Sequence, residues 1–171
     1  MRVIFLDIDG VLNSKEFFQN RQKTQWLNEI DEEKVRLLQQ IVQATNAKIV
    51  LTSTWRTYDK TDKTSPSYKA YQYLVDTLAK YDLSIFDCTP WINENRPHEI
   101  AVWLSMWNAL RDVHEHVFGF VSLDDDFTAK QYAKYGMQHH LIKTTFYGKH
   151  GGLQPEHVQQ AIDILKMEGD K

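Results

Sequence analysis

The run Val3-Ile4-Phe5-Leu6 is apolar at every position and stops at Asp7-Ile8-Asp9-Gly10. A continuous apolar run of this length is the pattern of a strand buried on both faces, which belongs at the centre of a parallel sheet covered by helices on each side. Such a strand delivers whatever follows it to the C-terminal edge of the sheet, where open α/β sheets hold their ligands. Here that edge receives two carboxylates separated by one residue. An extended chain through Asp9 puts both on the same side, because side chains alternate along a strand.

The rest of the chain supplies the partners that such a strand requires. Asp31 is placed to cap a helix running to about Thr45, with Val35, Leu38, Ile41 and Val42 at helical spacing. Lys48 to Leu51 is a second buried strand, and a helix from about Ser67 to Lys80 follows, with Tyr71, Leu74, Val75 and Leu78 on one side. Leu83 to Phe86 is a third, short strand. Pro97 stands at the first position of a helix reaching about Arg111, with Ile100, Trp103, Leu104 and Trp107 as its apolar face. Val117 to Leu123 is the fourth strand, Thr128 to Tyr135 a short helix, Met137 to Ile142 a weaker fifth strand, and Pro155 opens a last helix through Leu165. Strands alternating with helices predict an α/β fold with a mostly parallel sheet. With 171 residues, of which 42% are hydrophobic and 25% charged, one domain spanning 1–171 accounts for the whole chain. The polar stretches Asn13 to Ile30 and Arg56 to Pro66 are candidate covers for a site at the sheet edge, the first as a small lid.

Several segments converge there. One of the two carboxylates is suited to attack phosphorus while also meeting a metal ion, and the other to protonate a leaving oxygen and then activate water. Gly10 allows a tight turn beneath an incoming phosphate. VLTSTWR places Thr52 and Ser53 directly after the second strand, where either hydroxyl is positioned to hold a phosphate oxygen. Arg96, at the start of the Pro97 helix, adds a cation. FVSLDDD brings Asp124 and Asp125 from the fourth strand, and a set of hard carboxylate oxygens suits Mg²⁺. Asp126 is left as a cap or outer contact. Arg56 is open between touching substrate and making a structural ion pair.

With these residues the chain resembles the haloacid-dehalogenase-like hydrolase superfamily, especially its small phosphatases and the phosphatase domains of nucleic-acid end-repair proteins. Its DxDx(T/V) motif is matched by Asp7, Asp9, Gly10 and Val11. The second motif falls on Thr52, with Ser53 one residue away. The third falls on Arg96, and the acidic pair on Asp124 and Asp125. The resemblance implies a three-layer, Rossmann-like core with at most a small cap. It also implies Asp7 as nucleophile, Asp9 as acid and base, and Mg²⁺ held by Asp7, Asp9, Asp124 and Asp125. The expected activity is phosphomonoester hydrolysis through an aspartyl-phosphate, with nucleotides or nucleic-acid ends as substrate; the competing reading is a catalytically silent relative used for binding or regulation.

Other features carry less. Twenty Lys and Arg against 23 Asp and Glu give a formal charge of -3, which excludes a basic field for gripping a long duplex. No apolar stretch is long enough to span a bilayer and no secretory leader is visible, so a cytoplasmic protein without an obligate protein partner is expected. Cys88 is the only cysteine, which rules out an intrachain disulfide. His114, His116, His139, His140 and His150 form no structural zinc pattern. Trp55, Trp91, Tyr58 and Tyr68 are read as packing residues, with stacking against bases as the alternative. Gly148 to Gly152 lacks the order of a P-loop, and its contact with phosphate is the minor reading.

Overall fold

The computed structural model describes residues 1–20, 29–58 and 60–167. Five strands form one sheet in the order β3-β2-β1-β4-β5, comprising β1 (Arg2–Leu6), β2 (Lys48–Leu51), β3 (Ile85–Cys88), β4 (Gly119–Asp124) and β5 (Leu141–Lys143). Every neighbouring pair is parallel. β1 is central, and the order of connection reverses beside it: β2 and β3 are added on one flank, β4 and β5 on the other. The C-terminal ends of β1 and β4 therefore meet at the topological switch point, where ligands of such sheets bind.

The helices are α1 (Lys15–Asn20), α2 (Glu32–Thr45), α3 (Pro66–Ala79), α4 (Arg96–Leu110), α5 (Ala129–Ala133) and α6 (Pro155–Met167). Alternation along the strands sorts the core into two layers. Ile4, Leu6, Ile49, Leu51, Val121 and Leu123 face α2, α3 and α6. Val3, Phe5 and Val50 face the other way, onto Ile100 and Trp103 of α4 and Tyr132 of α5. Both faces are covered, as the unbroken apolar runs require.

Caps fix several helix ends. The Asp31 carboxylate accepts from Glu33 N, Ser65 Oγ from Tyr68 N, and Asn95 from His98 N, each replacing a missing intrahelical partner and stabilising its helix by about 1 kcal/mol. The third strand begins two residues later than the apolar run predicts. Leu83 is not in it: its N–H bonds back to Leu78 O and that of Asp82 to Ala79 O, with Asp82 at φ 57°. This is a Schellman closure of α3, and buried Leu83 is its apolar plug. The fifth strand is shorter than expected because Gln138–His140 forms a 3₁₀ turn, leaving Leu141–Lys143 to pair. Of the proposed lid, Lys15–Asn20 is helical; its residues 21–28 lie outside the described residues.

Candidate active site

Leu6 and Leu123 are register partners in adjoining parallel strands, so the next residues, Asp7 and Asp124, leave the sheet side by side. The N–H of Asp7 still reaches Leu123 O at 3.1 Å. Both carboxylates are buried, Asp7 being 3% exposed and Asp124 0%. Arg96, the first residue of α4, sets one guanidinium nitrogen 2.6 Å from Asp7 Oδ2 and 2.9 Å from Asp124 Oδ1. One cation thus ties together acids from two strands.

Asp125 completes the group. One oxygen each of Asp7, Asp124 and Asp125 lies within 4.8 Å of the others, and this is the one such cluster of potential metal ligands found among the described residues. Burial pushes the Asp7 carboxyl up to about 7; Asp124 adds to the shift, while Arg96 and hydrogen bonds from Ile8 N and Ser53 oppose it. Burial, with Asp126 and Asp124 nearby, likewise pushes Asp125 up to about 6 against the pull of Lys143 and Arg96. For Arg96, burial works against the charge, but Asp7 and Asp124 outweigh it and raise its pKa above the ordinary value. Three acids against one bridging guanidinium leave a local excess of negative charge. An all-oxygen donor set with that excess fits a hard divalent cation such as Mg²⁺.

Asp124 is held as a fixed member. Its Oδ1 accepts from the N–H groups of Asp126 (2.8 Å) and Phe127 (3.1 Å), and its Oδ2 from Tyr132 Oη at 3.0 Å. Asp125 is set by what lies under it. A Cβ built on Gly10 would fall 2.1 Å from Asp125 Cγ, and Gly10 has φ +72°. The close approach that demands glycine is therefore that of the Asp125 carboxyl. The Lys143 ammonium bonds to Asp125 O, and Thr144 Oγ1 donates to Gly10 O at 2.6 Å.

Asp9 takes a separate position. The chain turns immediately after Asp7, with Val11 N and Leu12 N both bonding to Ile8 O, so it does not run extended through Asp9. Ile8 points into the core and Asp9 is exposed. The Asp9 side chain lies outside the three-acid cluster. Its Oδ1 accepts from Asn13 Nδ2 at 2.8 Å and its Oδ2 from Trp55 Nε1 at 3.0 Å.

Thr52 is 0% exposed and its hydroxyl has no protein partner, although its backbone N–H extends the ladder to Leu6 O. Ser53 hydrogen-bonds Asp7 and caps the 3₁₀ turn Thr54–Thr57 through Trp55 N. The two neighbours divide the work: Ser53 is committed within the protein, while Thr52 retains a buried, unsatisfied hydroxyl. Arg56 is in a buried ion pair, 2.5 Å from Glu99 Oε2, and also bonds to the carbonyls of Thr52 and Ser53. The guanidinium is thereby engaged in holding the loop after β2 against α4.

Sequence patterning passes over Asn13, Tyr132, Lys143, Thr144 and Glu99. Lys143 alone had a usable signal, since it ends a strand as Asp124 does. Trp55 is 1% exposed with its indole N–H spent on Asp9, so it is not a base platform. Of the segment Gly148 to Gly152, the last two residues pack beside the first turn: a Cβ on Gly151 would lie 2.4 Å from Ser14 Cβ, and one on Gly152 3.0 Å from Val11 O, whereas Gly148 has no atom close to such a Cβ.

The all-parallel sheet covered by helices, with acids gathered at its switch point, is a Rossmann-like core of the haloacid-dehalogenase (HAD) type. No curated protein and no solved structure matches the chain. A family model described as the HAD domain in Swiss Army Knife RNA repair proteins matches residues 3–158. The chain belongs to that family of HAD domains.

Proposed function

We propose that this domain is a Mg²⁺-dependent phosphomonoester hydrolase that removes phosphate from nucleotides or nucleic-acid ends, RNA ends foremost. The observation that carries the reading is the Arg96 bridge between Asp7 and Asp124, at 2.6 and 2.9 Å, beside a third acid. It is an arrangement suited to holding a dianionic phosphate against a carboxylate that would otherwise repel it. The family's RNA repair context supports the substrate class.

In the first step an Asp7 carboxylate oxygen bonds to phosphorus as the bond from phosphorus to the ester oxygen breaks, and Asp9 gives its proton to the departing alcohol. The Ile8 N–H on Asp7 Oδ1, at 2.8 Å, fixes the plane of that carboxylate. Trp55 and Asn13 fix that of Asp9. Thr52 Oγ donates to a phosphate oxygen, ending its unpaired state, and Arg96 offsets charge on the transferring group. In the second step Asp9 takes a proton from water, the water oxygen bonds to phosphorus, and Asp7 is released with inorganic phosphate. Asp7, Asp124 and Asp125 would hold Mg²⁺, which supplies charge neutralisation at the phosphoryl oxygens.

The test is release of inorganic phosphate from 5′- and 3′-phosphorylated short oligoribonucleotides and from a panel of sugar phosphates, with and without chelator. The reading requires Mg²⁺-restorable turnover with the higher kcat/KM on the oligonucleotides. A consistent preference for a sugar phosphate would remove the nucleic-acid assignment. Absence of turnover on every ester with Mg²⁺ supplied would remove the hydrolase assignment.

A further inference from the structure

The geometry points to a nucleobase subsite built around Trp91, next to the phosphate-handling residues, that receives the terminal nucleoside of the substrate. This rests on the hydrolase reading for its orientation, though not for its existence. A pocket of about 290 Å³ is lined by Thr52 and Arg96 at the catalytic group and by Arg56, Trp91, Glu94 and Phe127 beyond it. That volume lies near the lower end of ligand-sized sites, about 300 Å³, enough for one nucleoside and little more.

Trp91 is 46% exposed and lines the pocket, so its ring is accessible to a ligand there. Its ring is nonetheless fixed. The Arg56 guanidinium carbon sits 5.0 Å from the ring centroid. The loop carrying the ring is held from both sides by the buried Arg56–Glu99 pair: Arg56 reaches Pro90 O at 3.5 Å, and Glu99 Oε1 accepts from Ile92 N at 2.8 Å. A buried ion pair is a weak source of stability but a good positioning device. Here it holds an aromatic ring, with a guanidinium against one of its faces, at the pocket. Such a pre-ordered ring suits stacking of any base, by π contact.

The polar groups agree. Next along the chain, Asn93 and Glu94 both have positive φ, 52° and 55°, costly for residues other than glycine. That double left-handed turn returns the chain to Asn95 and α4 and brings Glu94 to the pocket wall. Asp126 also lines the pocket. Carboxylates accept hydrogen bonds and repel a second phosphate. The part of an end they admit is the neutral one, with base N–H and ribose O–H donors. Anion binding is thereby confined to the Thr52 and Arg96 end.

The test is equilibrium titration of the full chain, folded and with Mg²⁺, in an Asp7→Asn background that prevents turnover. The probes are nucleoside 5′- and 3′-monophosphates and the corresponding ribose phosphates without a base. Stacking worth about 1–3 kcal/mol predicts that the base tightens binding by roughly fivefold to over a hundredfold. Trp91→Phe should retain most of that ratio and Trp91→Ala should bring it close to one. Equal affinity for nucleotides and base-free ribose phosphates, or an unchanged ratio in Trp91→Ala, overturns the subsite. If the wild-type chain releases phosphate from both probe classes yet shows no base preference in binding, the hydrolase reading stands and the subsite falls. If the base-dependent ratio is found in a chain without turnover, the subsite stands and the hydrolase reading falls.

Discussion

The indole N–H of Trp55 donates to Asp9 Oδ2 at 3.0 Å, while Asn13 holds the other oxygen of the same carboxylate at 2.8 Å. Asp9 is exposed and would otherwise sample several rotamers, so a buried tryptophan sets the direction of the group assigned to proton transfer. Trp55→Phe keeps a ring in the core and deletes the donor. General acid–base catalysis contributes about 10²–10⁴-fold, and losing orientation alone should cost a part of that, about tenfold in kcat. The loss should be larger for an alkyl phosphate than for an aryl phosphate, whose leaving group needs less protonation. An equal loss on both esters would show that Trp55 acts through packing and not through Asp9.

Gly10 is the position where the backbone and the Asp125 carboxyl approach most closely, since an added Cβ would lie 2.1 Å from Cγ at a φ of +72°. Gly10→Ala should strain the turn and displace Asp125, destabilising the fold by about 1–3 kcal/mol. It should also weaken Mg²⁺ binding by about tenfold, the loss expected from disturbing a ligand's support. Isothermal titration with Mg²⁺ and thermal melts read the two effects separately. Unchanged Mg²⁺ affinity in a folded Gly10→Ala protein would take Asp125 out of the metal site.

Stability should depend on pH with a definite sign. Asp7 titrates at about 7 in the fold against 3.8 unfolded, mainly through burial. Between those values the unfolded chain has released a proton that the native chain still holds, so stability without metal falls as pH rises across that window. Asp125, raised to about 6, adds to the fall in its lower part. Asp7→Asn removes the first titration, and the difference in melting temperature between it and wild type, followed from pH 4 to pH 8, should move in the variant's favour as pH rises. Mg²⁺ binds the ionised carboxylates, so its stabilising shift should grow over the same range. A Mg²⁺ shift of the same size at both ends of the range would contradict the assigned ligands.

What the sequence made legible follows from what its patterns encode. Apolar runs placed β1, β2 and β4, and the residues at their tips led directly to Asp7, Thr52 and Asp124. Pro97 marked the helix whose first residue is Arg96. Positions that depend on a turn were not encoded in this way: the chain bends after Asp7, so the alternation rule that would pair Asp9 with it does not apply. The Trp55–Asp9 and Arg56–Glu99 contacts join residues 46 and 43 positions apart, and no local periodicity connects them. Leu83 is apolar because it plugs a helix end, a role that looks like the start of a strand until the Asp82 backbone is seen.

The central claim is that Asp7 carries the phosphoryl group. Rapid mixing of the wild-type protein with a phosphorylated oligonucleotide and Mg²⁺, followed by acid quench and intact-protein mass measurement, reads this directly. The account predicts a transient adduct of one phosphoryl group, mapped to the peptide containing Asp7 and absent from a folded Asp7→Asn protein, whose turnover falls nearly to background. Mg²⁺-dependent turnover near the wild-type rate in that variant, with its fold verified by circular dichroism and contaminating phosphatase excluded, would contradict it.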